Sequence, residues 1–117
     1  MKTSRVIVAI LLVALTMFLI LPSVSWAEDA SGIYKNKCAV CHGTSGGADT
    51  PMAKKQNIPA FGSDSVKKQS PAEIEDFILN GGREKKSSHA WSHKGISKED
   101  GTKLAAYVKQ LGSHKQQ

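Results

Sequence analysis

Cys38, Cys41 and His42 stand in the run Cys38-Ala39-Val40-Cys41-His42, and the chain holds no other cysteine. Two thiols three positions apart can add across the two vinyl groups of one porphyrin, and a histidine directly after the second is then held beneath the iron as its proximal ligand. The pentapeptide reads as a covalent clamp plus one axial bond, so the expected cofactor is a single covalent haem c. Other uses of such a pair fit less well. A structural zinc site needs four ligands, and the chain offers no second cysteine pair and only His89, His93 and His114 besides His42. A disulfide across two intervening residues would be strained and would close almost no loop. A thioredoxin-like dithiol wants a strand before it and a helix after it, and no strand-rich half is legible here.

The elements that must carry these residues follow an export signal. Lys2 and Arg5 precede an apolar run from Val6 to Leu21, then Pro22 and a region ending Ser25-Trp26-Ala27. The run is a little short of the roughly twenty residues needed to cross a bilayer, so residues 1–27 read as a signal peptide cleaved after Ala27, with an uncleaved anchor as the other outcome. Residues 28–117 are then one small domain, which would struggle to bury enough apolar area alone. Aromatic residues make up only 6% of the chain, and a buried porphyrin would supply the missing apolar surface. Asp29 to Cys38 has helical spacing, with Ala30, Ile33 and Tyr34 near one face and Asp29 or Ser31 as cap. Gly43 to Gly62, broken by Gly46-Gly47, Pro51 and Pro59, reads as an irregular loop. Ser70-Pro71-Ala72-Glu73 is a helix start with a capping box; Ile74, Phe77 and Ile78 form its buried face, and Gly81-Gly82 ends it. Ser97 begins a last helix with the stripe Leu104, Tyr107, Val108 and Leu111, expected to stop before Gly112. Lys115-Gln116-Gln117 reads as a frayed tail. The predicted fold class is all-α, with three main helices and no sheet.

These residues resemble a small class I cytochrome c over nearly the whole of residues 28–117. The resemblance rests on Tyr34 ahead of Cys38, Cys38-x-x-Cys41-His42-Gly43, the loop Ile58-Pro59-Ala60-Phe61, the helix end Asn80-Gly81-Gly82, and Leu104-Ala105-Ala106-Tyr107-Val108. It implies that the first and last helices cross, so that Ala30 and Tyr34 meet Leu104 and Tyr107, with loops wrapped around the haem. It also implies that the Pro59 carbonyl accepts the Nδ1 proton of His42, with Pro51 as the alternative acceptor.

The family's distal methionine is missing. Most relatives carry it shortly after the Gly-Gly pair, whereas the one methionine after Ala27 is Met52, on the proximal side. Counting back from the last helix without gaps puts His89 in that place. His89 is therefore the preferred distal ligand and His93 the second choice, with Met52, a lysine, water or an open site as the remaining possibilities; Trp91 is the aromatic expected on the porphyrin edge. His114 reads as solvated. Imidazole favours ferric iron more than a thioether does, so bis-histidine ligation implies a low reduction potential.

The expected function is a periplasmic monohaem electron carrier rather than an enzyme. Two alternatives stand beside it: a haem sensor or gas-binding protein with a displaceable distal ligand, and a membrane-anchored haem module of a larger redox complex. The net charge of +6 falls to about +4 when Lys2 and Arg5 leave. Lys54-Lys55, Lys67-Lys68, Arg83, Lys85-Lys86 and Lys94 could form a basic rim for acidic redox partners. Nucleic acid is not expected as a partner, since an exported domain with few aromatics has no base-stacking platform. A monomer is the expected state.

Overall fold

The computed structural model describes residues 1–18 and 25–114; the Pro22 end of the expected signal and the Lys115–Gln117 tail lie outside the described residues. It contains α1 (Lys2–Phe18), α2 (Ser25–Lys37), α3 (Ala39–His42), α4 (Pro51–Gln56), α5 (Asp64–Lys67), α6 (Pro71–Asn80), a 3-10 turn (Trp91–Lys94) and α7 (Lys98–Ser113). Among the described residues there is no strand, and no helix is long and apolar enough to cross a membrane. The all-α expectation holds. Helix α2 differs in extent: it runs through Asp29 and Ser31, so neither of them caps it. Ala27 and Glu28 are strong helix formers and carry the helix in the N-terminal direction.

Helices α2, α6 and α7 build the core, with α7 packed against both others. Tyr34 from α2, Ile74 and Leu79 from α6, and Leu104, Ala105 and Val108 from α7 share one buried cluster with Phe61 and Ile96. Tyr34 meets the Tyr107 ring edge-on at 5.4 Å, the crossing implied by the resemblance. Helix α6 starts as its sequence requires. The Ser70 hydroxyl accepts from the Glu73 amide, the Glu73 carboxylate accepts from the Ser70 amide, and Pro71 takes the first turn. It ends at Gly81 in the left-handed region, φ 83°, a conformation that glycine adopts without steric cost.

Two local expectations need correction. The segment Gly43–Gly62 is not wholly irregular, because Thr50 caps Pro51 and nucleates the short helix α4. Proline breaks a helix interior but suits its first position, where no intrahelical amide bond is lost. Gly112 does not stop α7, which continues to Ser113. A Cβ there would stand 2.5 Å from the Phe61 carbonyl oxygen, so the glycine allows the helix to approach the loop backbone closely.

Candidate functional site

The cysteine-histidine motif is set by hydrogen bonds from both flanks. Cys38 follows α2 with its amide on the Tyr34 carbonyl at 2.9 Å, and the Cys41 and His42 amides turn back on the Cys38 carbonyl at 3.1 and 3.0 Å. Tyr34 lies 1% exposed and donates its hydroxyl to the Gly43 carbonyl at 2.6 Å. Burial pushes its pKa far above the ordinary phenol value, so it stays a donor. Thr50 serves twice: its oxygen accepts from the Ala53 amide and its proton goes to the Cys41 carbonyl at 2.6 Å. Helix α4 is thus tied to the motif by its own cap. Both cysteines are free thiols that line the central cavity, and burial pushes Cys38 up to about 11.

That cavity is about 290 Å³ and opens between α2, α6, α7 and the loops. Cys38, Cys41 and His42 lie in its lining together with the apolar side chains of Ile58, Phe61, Val66, Ile74, Phe77, Ile78, Leu104 and Val108. His89 and Trp91 line it as well. The His42 and His89 ring centres are 6.0 Å apart at an interplanar angle of 61°. Phe61 packs on His42 at 4.9 Å and Phe77 on His89 at 4.4 Å. Burial holds both imidazoles below the ordinary histidine range, His89 at about 4, with His42, Lys86 and Lys94 adding to the shift. At neutral pH both rings are uncharged, the form that can bind a metal.

The remaining candidates separate clearly. His93 sits in the 3-10 turn, exposed and outside the cavity lining. Met52 is 41% exposed on α4 and its sulfur accepts from Gln56 Nε2 at 3.0 Å, again outside the lining. His114 is exposed at the end of α7. Pro59 lines the cavity and Pro51 does not, yet the expected bond from His42 to the Pro59 carbonyl is not formed. The His42 Nδ1 is buried and has no hydrogen-bond partner, and the ring is held by its contacts with Phe61 and His89. Trp91 is half-buried and flanked by Lys94 at 4.8 Å and Lys37 at 5.6 Å. Of the expected basic rim, Lys86 lines the cavity, and so does Lys37, which was not among the candidates. Phe77 and Thr50 were also missed as site residues. Phe77 reads as ordinary helix core, and Thr50 has no sequence signal beyond its place before Pro51.

The description of the family model that matches residues 27–108 is cytochrome C oxidase, cbb3-type, subunit III. The chain belongs to this c-type cytochrome family. No curated protein and no solved structure matches it. As a member, the cytochrome is a haem-binding, electron-transfer domain with one covalent haem c. Its own residues fit that group. Two thiols and an uncharged imidazole converge on one apolar cavity, the donor set that covalent haem attachment and one axial bond require.

Proposed function

We propose that this cytochrome is an exported monohaem electron carrier whose iron is held by His42 on one face and His89 on the other. The observation that carries the reading is the 6.0 Å between the two ring centres across the cavity. Two imidazoles on one metal, with bonds of about 2 Å and each ring centre roughly 1 Å behind its nitrogen, stand about 6 Å apart. The haem supplies a reversible one-electron change at iron. Cys38 and Cys41 hold it covalently, the apolar lining excludes water, and two neutral imidazoles favour the ferric state, which gives a low potential. Phe61 and Phe77 restrict the two rings from behind. Residues 28–117 form the carrier domain and residues 1–27 the export signal. Trp91 covers part of the porphyrin edge. Lys37, Lys86 and Lys94 beside it favour an acidic redox partner, and the protein works as a monomer.

The family match favours a second reading, in which residues 1–27 are kept as an anchor and the domain serves a membrane oxidase complex. The mass of the mature amino terminus separates the two. Ligation is tested by carbon monoxide binding to the dithionite-reduced holoprotein. Slow or absent binding, with a low-spin ferric spectrum lost in His89→Ala and kept in His93→Ala, is the expected result. Rapid, tight binding by the unsubstituted protein would overturn the carrier reading in favour of a ligand-binding haem.

A further inference from the structure

His89 ends an exposed loop whose start is tied to the end of α6 by the Lys85 and Lys86 amides on the Gly82 and Gly81 carbonyls, both at 3.1 Å, and its ring packs on Phe77. Residues 83–88 are all exposed, and the Lys86–Glu84 ion pair on this stretch is internal to it and solvated, a type that contributes little. A second hold, on the two residues directly before His89, comes from the other side of the histidine. The Lys94 ammonium donates to the Ser87 carbonyl at 2.9 Å and reaches the Ser88 carbonyl at 3.4 Å. It also stands over the Trp91 ring at 4.8 Å. The 3-10 turn that presents it is fastened to α6 by the Ser92 hydroxyl, which donates to the Leu79 carbonyl at 2.7 Å. The Ser88 hydroxyl lies 3.3 Å from His89 Nδ1, so orienting the Ser88 backbone also orients the ring's partner.

We propose that Lys94 is the positioning residue of the distal ligand: by tying the two carbonyls that lead into His89 to the Trp91 turn, it keeps that imidazole opposite His42. The proposal rests on the His42/His89 reading and adds to it the device that holds the sixth position closed. A charged donor makes the stronger kind of hydrogen bond, and although solvent weakens this one, it spans the exposed loop between α6 and the turn with two carbonyl acceptors. Without it the loop gains open conformations, and a competing ligand binds in proportion to their population.

The test compares purified holoprotein with Lys94→Met, which keeps the aliphatic stem on Trp91, and Lys94→Arg, which keeps the charged donor. Lys94→Met is expected to bind carbon monoxide about tenfold faster in the reduced state and to show a high-spin ferric fraction, while Lys94→Arg stays close to the unsubstituted protein. The potential gives a readout that a mere loss of charge would not reproduce. Removing a positive charge near the haem site lowers the potential, whereas releasing a ligand that favours ferric iron raises it. A rise in Lys94→Met supports the proposal; an unchanged binding rate with a lowered potential overturns it. Should Lys94→Met not assemble, Lys94→Leu, which also lacks a donor, carries the same comparison. His89→Ala is measured alongside: if it leaves the ferric spectrum low-spin, the ligand assignment itself fails and the proposal falls with it. If His89→Ala turns high-spin and Lys94→Met behaves as the unsubstituted protein, the proposal alone fails.

Discussion

Tyr34 and Thr50 act on the motif through carbonyl oxygens, and that is why neither stands out by chemistry type. Tyr34→Phe removes one buried hydroxyl and leaves the Gly43 carbonyl without its 2.6 Å partner. The expected loss is about 1–3 kcal/mol, read as a lower denaturant midpoint with unchanged slope. The imidazoles set a pH dependence. Burial lowers the His89 pKa to about 4, against 6.5 when solvated, so protons compete poorly for the ring and its bond to iron is kept as pH falls through the ordinary histidine range, to be lost only at more acid pH. The low-spin ferric spectrum of the holoprotein is therefore expected to be unchanged between pH 7 and pH 5, and a high-spin form appearing near pH 6 would contradict it. Cys38, Cys41 and His42 were legible as candidates because their spacing is itself the chemistry, and the structure brings the three to one cavity. His89 was legible only through a resemblance that left a place for it, and the structure separates it from His93 by cavity access. The Pro59 bond was not legible in the same way: a carbonyl's direction depends on loop geometry that no residue type encodes.

Among the elements, α6 shows how much a short sequence can specify. Ser70, Pro71 and Glu73 meet the reciprocal bonds expected of them, and Ser70→Ala should cost about 1 kcal/mol, measured by thermal melting against the unsubstituted protein. The Glu73 carboxyl titrates below its ordinary value, chiefly through its bond from the Ser70 amide, so the box contributes above the ordinary carboxyl pKa and is lost as pH falls through the lowered one. Helix α4 and the end of α7 were misread for opposite reasons. Pro51 and Gly112 are breakers by type, but Thr50 makes the proline an initiator and the nearness of the Phe61 backbone makes the glycine a contact residue. Tertiary context decided both, and local pattern does not contain it.

At the scale of the whole molecule, the described domain has few large buried side chains around a sizeable apolar cavity. A haem filling that 290 Å³ cavity would bury apolar lining that so small a domain cannot cover with its own side chains. Replacing Cys38, Cys41 and His42 together by Ala should therefore abolish the cooperative thermal transition in far-UV circular dichroism; a transition of unchanged sharpness would mean that the helices hold without the cofactor. The two bonds that shape the proximal side, Tyr34 to Gly43 and Thr50 to Cys41, each span nine residues, whereas the core needs α7 from the far end of the chain. Short spans close quickly and long ones slowly. For a polypeptide emerging amino terminus first, the cysteine turn can be shaped and presented for attachment while α7 is still arriving, so the order of maturation is written into contact distance along the chain.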